Sequence, residues 1–303
     1  MLQKRIDSGR PIILTEIAPP ASPDAARVKA LAKAFAGKVH GIGVSDNRDG
    51  VTMSALAAAS LIIPEGVEPV LHMTTRDRNR AALISDFLGA QALGIRDILC
   101  TSGSHQTLGP FRSAKNVYDI DATILLQTFK NIGKDASIVG SEKLDGTVPM
   151  CLGAVAAPDA DPLELQLPRL AQKIFVGAQF IITQPVFDME RFGVWWSEVK
   201  NRGLHRKAAF IAGVKVLIDQ KSAREYAAKR PLPMVTDAIL TRLASASGVE
   251  KCRKEGIAIA LETIHKLSTL DGIRGFEIVC DEDPQAAVEV LNSLQPNTDS
   301  IAD

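Results

Sequence analysis

Residues 68–101 have the sequence EPVLHMTTRDRNRAALISDFLGAQALGIRDILCT, in which two short apolar runs flank a longer amphipathic one. Glu68–Met73 and Asp97–Thr101 have the length and composition of buried strands, whereas Arg78–Leu93 repeats apolar side chains at helical spacing. Two strands joined through a helix run parallel in one sheet. This stretch therefore predicts an α/β fold built on a parallel sheet.

The same alternation continues over the whole chain. The predicted strands are Ile12–Glu16, Gly41–Ser45, Glu68–Met73, Asp97–Thr101, Met150–Val155, Phe180–Gln184, Ala208–Gly213 and Gly275–Cys280, with helices that include Asp24–Phe35, Leu163–Val176, Glu190–Val199 and Gln285–Leu294. Eight such units predict a single-domain (β/α)8 TIM barrel. A doubly wound sheet is the alternative. It is disfavoured because Glu16-Ile17-Ala18-Pro19-Pro20 follows the first strand, where a dinucleotide-binding sheet has a glycine-rich turn.

Two connections are longer than this rhythm requires. Gly103–Asp121 follows the fourth strand, and the multi-helix stretch Ser222–Leu267 precedes the eighth. Because long βα connections of a barrel commonly form the walls of a ligand site, we expect both to border one. The polar tail Gln295–Asp303 is expected to be frayed.

Composition excludes several classes of function. The 35 basic and 35 acidic residues cancel, so the chain lacks the positive charge that attracts nucleic acid or anionic lipid. No apolar run is long enough to span a membrane, and Met1–Arg5 lacks the apolar core of a signal peptide, which favours a cytoplasmic location. Four cysteines lie far apart without metal-site spacing, so no metal is predicted.

Three polar side chains stand at predicted strand ends, where the catalytic groups of barrels project. Glu16 ends an apolar strand and could act as a general acid or form a salt bridge at the barrel mouth. His72 could bind a ligand or hydrogen-bond to neighbouring backbone. Gln184 offers a paired donor and acceptor, which suits a heterocyclic amide such as a pterin but also suits capping of nearby backbone groups.

A charged cluster follows the third strand. Arg76, Asp77, Arg78 and Arg80 open the next helix, where negative charge is favoured and positive charge is not. Some of the arginines are therefore expected to pair with carboxylates or to reach a ligand. A solvated face is the alternative.

Together these segments resemble the methylenetetrahydrofolate reductase family, whose members are flavin-containing (β/α)8 barrels. The most specific parts are His72–Arg80 with the following Ser85–Ala90, and Gly177–Asp188, and the resemblance covers nearly the whole chain from Thr15 onward. It implies reduction of 5,10-methylenetetrahydrofolate to 5-methyltetrahydrofolate, or the reverse oxidation. The length matches a bacterial form with the catalytic barrel alone.

The resemblance also implies roles for individual residues. Glu16 matches the catalytic acid that assists opening of the folate five-membered ring, and Gln184 matches the glutamine that contacts the pterin. The positions implied to hold the flavin are Ser45, His72, Ser102, Gly103, Ser104, Tyr118 and Lys173. The implied cofactor is FAD, with FMN possible, reduced by NADH or NADPH. Family members commonly form homo-oligomers.

Two positions depart from the family pattern. Many relatives have an aspartate where this chain has Ser104, and often a histidine where it has Glu277. The altered turn leaves open a folate reductase that takes electrons from a partner subunit, or directly from NAD(P)H without flavin. A catalytically silent folate-binding or assembly subunit is a further alternative, against which the retention of Glu16 and Gln184 argues.

Overall fold

The computed structural model describes residues 2–138, 143–228 and 235–294. Eight parallel strands close into one barrel in the order of the chain, so the predicted (β/α)8 fold is confirmed. The strands are β1 Ile12–Ile17, β2 Gly41–Val44, β3 Pro69–Thr74, β4 Asp97–Thr101, β5 Cys151–Ala156, β6 Phe180–Pro185, β7 Ala209–Lys215 and β8 Ile273–Val279. Every predicted strand boundary lies within two residues of the observed one.

Helices cover the outside of the barrel. They are α1 Leu2–Ser8, α2 Ala25–Phe35, α3 Ala55–Ile62, α4 Arg80–Ala92, α5 Ala122–Asp135, α6 Leu163–Val176, α7 Met189–Asn201, α8 Gln220–Ala228, α9 Asp237–Ser245, α10 Val249–Ser268 and α11 Pro284–Leu294. The fourth helix begins two residues later than predicted because Asn79 is its N-cap, accepting a hydrogen bond from the Ala82 N–H. No helix in these residues is long and apolar enough to cross a membrane.

Alternation along each strand separates two apolar layers, because successive side chains of a strand point to opposite faces. On β1, Ile13 and Ile17 belong to the layer that packs under the helices, whereas Ile12 and Leu14 belong to the barrel interior. By the same alternation Glu16 faces the interior one step further along the strand. The interior is therefore apolar at its lower end and becomes polar towards the carboxyl ends of the strands.

The lower end of the barrel is closed by α1, which the sequence pattern did not predict. Leu2 is buried in the interior layer together with Ile12 and Leu14, and its N–H lies 3.4 Å from a carboxylate oxygen of Asp97. This seven-residue helix contributes only one buried side chain, so its apolar periodicity is too weak to detect.

Both long connections border the opposite, open end. Residues 103–121 contain one short 3-10 helix, Gln106–Leu108, and otherwise irregular backbone. The stretch 222–267 supplies parts of α8 and α10 and all of α9, which pack around Phe187 and Leu217 in a small apolar cluster beside the mouth. The predicted frayed tail, residues 295–303, lies outside the described residues.

Candidate active site

A cavity of about 600 Å³ opens at the carboxyl ends of the strands. Most residues that the sequence singled out lie on its wall: Glu16, Ser45, His72, Ser102, Gly103, Ser104, Lys173 and Gln184. Tyr118 is not among the lining residues, but its hydroxyl donates a 3.3 Å hydrogen bond to the Gly103 carbonyl at the rim. The structure thus brings the candidate acid and the candidate pterin-binding amide into one cavity.

Glu16 is held in an ion-pair network at the mouth. Its carboxylate contacts the guanidinium of Arg48, which follows β2. Arg48 also binds Asp49 at 2.7 Å and Asp281, just after β8, at 2.7 Å. Lys215 at the end of β7 continues the network through a 3.2 Å contact with Asp281. The salt bridge weighed for Glu16 from the sequence is therefore present, on a side chain that also faces the cavity.

Below this network, Glu16, His72 and Glu277 form a compact cluster. One potential ligand atom from each lies within 4.8 Å of the others. Gly43 makes this approach possible, because a Cβ there would lie 2.9 Å from the Nε2 of His72 and 3.3 Å from the Oε1 of Glu277. Those two atoms are buried and make no hydrogen bond within the described residues. Carboxylate and imidazole can bind metals, but Arg48 already supplies positive charge to Glu16, so we assign no metal here.

The neutral forms of two cluster members are favoured by their surroundings. Burial lowers the pKa of His72, an effect that outweighs the opposing attraction of Glu16. Burial, with repulsion from Glu16, raises the pKa of Glu277 well above its usual range. The surroundings therefore favour an uncharged imidazole at His72 and a protonated carboxyl group at Glu277.

Gln184 reaches the cavity through an irregularity in β6. The register between β6 and β7 shifts between Ile182 and Pro185. Within that interval the Thr183 hydroxyl accepts a 3.0 Å hydrogen bond from the Gly213 N–H and donates one to the Gln184 carbonyl at 2.9 Å. The Gln184 side-chain amide makes no hydrogen bond to another described residue, and Gln184 lines the cavity. The Thr183 side chain thus makes the hydrogen bonds to the neighbouring backbone, and the Gln184 side chain does not cap these groups.

The turn after β4 is shaped by a glycine. Gly103 has φ +76°, and a Cβ there would lie 2.5 Å from the Thr74 methyl group, so a larger residue would be strained and crowded. The neighbouring Ser102 hydroxyl accepts a hydrogen bond from the Ala122 N–H at the start of α5. The Ser104 carbonyl accepts one from Arg76 at 3.2 Å. The turn at residues 102–104 therefore contributes backbone and small side chains to the cavity.

Lys173 and Ser45 complete the wall. Although Lys173 lies on a surface helix, its ammonium group turns inward and donates a 2.7 Å hydrogen bond to the Val155 carbonyl. Burial lowers the pKa of this amine. The Ser45 hydroxyl, buried at the end of β2, donates to the Ile17 carbonyl at 3.2 Å. Both groups can present polar atoms to a ligand without leaving their strand or helix.

The arginines after β3 pair with carboxylates, one of the two outcomes expected for them. Arg76 binds Asp77 at 2.7 Å. Arg78 contacts the buried Asp46 and binds Asp86 at 2.5 Å. Arg80 binds Asp119 at 2.8 Å, which ties the start of α4 to the long connection after β4. Their main effect is to fix the loops around the cavity.

Sequence reasoning missed Arg48, Lys215 and Asp281 as members of the site. Lys215 was missed because the seventh strand was predicted to end at Gly213, whereas it continues to Lys215. Asp281 and Arg48 follow strands in charged segments, and applying the strand-end rule to β2 and β8 as well as to β3 would have found both.

Three comparisons relate this chain to known proteins. Residues 1–295 match the family model described as "Methylenetetrahydrofolate reductase". A curated relative from Caenorhabditis elegans, named a probable methylenetetrahydrofolate reductase (NADPH), is 26% identical over 182 residues, or 60% of this chain. That match spans only 25% of the relative's length.

Among solved structures, an uncharacterized protein from Clostridium thermocellum that binds two copies of 5-methyl-5,6,7,8-tetrahydrofolic acid has the same fold. The alignment has a TM-score of 0.67 at 13% identity and covers 98% of this chain and 99% of that one. Identity this low establishes the fold and no activity. The family match over nearly the full length carries the assignment: this chain belongs to the methylenetetrahydrofolate reductase family.

Proposed function

We propose that this protein reduces 5,10-methylenetetrahydrofolate to 5-methyltetrahydrofolate, or catalyses the reverse oxidation, with a bound flavin and a nicotinamide donor. The observation that carries the proposal is that Glu16 and Gln184 line the same cavity at the mouth of the barrel. The name of the Caenorhabditis elegans relative supports the activity, and the folate bound by the Clostridium thermocellum protein supports the ligand class. We expect a homo-oligomer, as the family resemblance implies, and a cytoplasmic location, as the sequence pattern favours.

In this proposal Gln184 orients the substrate. A side-chain amide has one acceptor and two donor hydrogens, which matches the donor and acceptor edge of a pterin. Because Thr183 already satisfies the neighbouring backbone, the Gln184 amide can make this pair without exposing an unpaired backbone group. Loss of the pair would leave polar groups of the pterin unsatisfied in the cavity.

Glu16 acts on the five-membered ring of the substrate. It gives a proton to the ring nitrogen that leaves when the C–N bond opens, and the second nitrogen stabilises the resulting iminium ion. Arg48 holds the carboxylate at the mouth, so the acid is positioned before the substrate enters. The cavity walls shield Glu16 and the iminium ion from bulk water.

Other lining residues of the same cavity fit a flavin. His72 offers a buried Nε2 without a hydrogen-bond partner in the described residues, and Gly103 forms a cradle that a Cβ would fill. Ser45, Ser102, Ser104 and Lys173 add hydroxyl, backbone and ammonium groups, with Tyr118 at the rim. FAD is favoured over FMN by the family resemblance. When bound, the flavin would supply the hydride chemistry between NADH or NADPH and the folate.

The absorption spectrum of the purified protein tests this proposal. We expect a yellow protein that NADH or NADPH bleaches under anaerobic conditions, and whose colour returns when methylenetetrahydrofolate is added. Folate reduction by a colourless protein would instead establish direct transfer from the nicotinamide. A flavin that neither nucleotide bleaches, together with no folate turnover, would contradict the proposal.

A second candidate is the same folate reduction with electrons supplied by a partner protein. The observation that favours it is the turn at Ser104, which offers Arg76 its backbone carbonyl and has no carboxylate at this position. In that case the bound flavin is reduced by a partner subunit and not by free nucleotide. The anaerobic experiment separates the two, since dithionite-reduced protein would still transfer hydride to the folate.

A further inference from the structure

Glu277 lies inside the barrel behind Glu16, and the mechanism above does not use it. It projects from the inner face of β8, its residue is 4% exposed, and its Oε1 makes no hydrogen bond within the described residues. A lone ionised carboxylate in such a place costs several kcal/mol, roughly, whereas its protonated form does not. The position of Glu277 therefore favours the protonated carboxyl group.

Titratable groups on or just after five strands surround Glu277. The titratable groups that face it are Glu16 on β1, Arg48 after β2, His72 on β3, Lys215 on β7 and Asp281 after β8. Arg48 is shared among three carboxylates, and Lys215 binds Asp281 and Glu282. Neither cation makes an ion pair with Glu277 among the described residues, so no ion pair opposes the protonated form that burial favours.

Within the part of the chain that the structure describes, Glu16, unlike Glu277, has a cationic partner. Its carboxylate is drawn into an ion pair with Arg48, and an acid in that state must receive a proton before it can give one. One proton is consumed at the substrate nitrogen in every turnover of the proposed reaction. A proton source within 4.8 Å of Glu16, on the side away from solvent, is Glu277.

We propose that Glu277 is the proton-holding partner of Glu16, and that the two carboxyl groups share one proton across the cluster with His72. This inference rests on the proposed function. In the step, the O–H bond of Glu277 breaks as an O–H bond forms on Glu16. Glu16 then transfers that proton to the leaving ring nitrogen, which keeps the C–N bonding pair. The lone pair of the second nitrogen forms the iminium ion, and Glu277 regains a proton from solvent before the next turnover.

Infrared spectroscopy tests the protonation without requiring turnover. Burial raises the pKa of Asp97 and Asp159 to about 6, so both are ionised at about pH 8. Burial also raises the pKa of Asp46, but that carboxylate is paired with Arg78. We expect the wild type to retain a protonated-carboxyl band at this pH and Glu277→Gln to lack it. An identical spectrum in the two proteins would overturn the proposal. So would a stoichiometric metal that the wild type contains and Glu277→Gln loses.

Kinetics test the transfer. In anaerobic mixing of the reduced enzyme with methylenetetrahydrofolate, Glu277→Gln should slow the reaction by about tenfold or more and move its alkaline limb to lower pH, because Glu16 must then take each proton from solvent. Glu277→Asp, which keeps a carboxyl group, should recover part of the rate. A purely structural role would not move the pH profile.

The matched control is Asp97→Asn, which changes a buried acid at the other end of the barrel and should leave the profile unmoved. An unchanged profile in Glu277→Gln would overturn the transfer step. If the wild type does not reduce folate at all, the proposed function and the transfer step fail together. The infrared result still decides whether Glu277 holds the proton.

Discussion

The two ends of the barrel use the same strands for opposite purposes. At the lower end, inward side chains such as Leu14, Val70 and Phe180 pack into an apolar layer that Leu2 of α1 closes. At the upper end, the next inward positions of two of these strands are Glu16 and His72. One end is filled and carries stability. The other holds polar groups around a cavity of about 600 Å³.

The difference shows what alternation contributes to an active site. Since every second residue of a strand points inward, extending an apolar strand by two residues delivers a side chain to the mouth in a fixed direction. The packed layer below then holds that side chain in place. Substitutions at the upper end should therefore change activity more than stability, and those at the lower end should do the reverse.

The largest expected effect is that of Glu16→Gln. Loss of the acid should lower the rate of folate reduction by about 10²–10⁴-fold, the usual contribution of a positioned proton donor. Arg48 keeps its contacts with Asp49 and Asp281, so the fold should remain intact. Stopped-flow measurement of the two half-reactions checks this, since flavin reduction by the nucleotide should persist. Folate reduction at the wild-type rate would remove the acid role.

Two variants on β6 distinguish the roles of the lower and upper ends of the barrel. Phe180→Ala should lower the free energy of unfolding by about 3–5 kcal/mol, because it empties a fully buried position in the lower layer. Gln184→Ala, four residues further along the strand, should raise the KM for folate while changing stability by less than about 1 kcal/mol. Denaturant unfolding and steady-state kinetics measure both. Equal stability losses in the two variants would contradict the division of the barrel.

The pH dependence of stability tests the burial of Asp97 at the lower end of the barrel. Burial raises the pKa of this carboxyl from 3.8 to about 6. The folded state therefore binds a proton more tightly than the unfolded state, so the wild type should lose about 3 kcal/mol of stability from this group as pH rises from about 3 to about 7. Asp97→Asn should lack that slope and gain relative stability at neutral pH. The same pH dependence of the free energy of unfolding in the two proteins would contradict this prediction.

The smallest effect is expected from Ser104→Asp at the upper end. A charge at about 6 Å from a flavin is worth on the order of 60 mV for a two-electron couple at an effective dielectric of about 20. Arg76, which binds the Ser104 carbonyl, should offset part of it, so the potential of the variant should fall by less than this. Potentiometry of the bound flavin measures the shift. A potential that stays constant or rises would contradict the expected sign.

Much of the molecule follows from local pattern. The eight strands follow from apolar runs separated by helical periodicity, and Glu16 and Gln184 follow from the rule that strand ends carry the chemistry. The short helix α1 did not follow, because a single buried leucine leaves no period. Arg48 pairs with Glu16 and Asp281, two residues that only the closed barrel brings together.

The role of Glu277 also required the structure. In the sequence it is a charged residue within an apolar strand, which has no explanation at that level. The closed barrel places it across Gly43 from His72 and beside Glu16, where burial decides its protonation. Such a property depends on groups from four strands and cannot be derived from any one segment.

A crystal structure of the protein with 5-methyltetrahydrofolate tests the central claim most directly, because it locates the pterin relative to both side chains. The account predicts the Gln184 amide hydrogen-bonded to the pterin edge and the Glu16 carboxyl facing the nitrogen of the opened ring. A pterin bound outside this cavity, or one that contacts neither side chain, would contradict it.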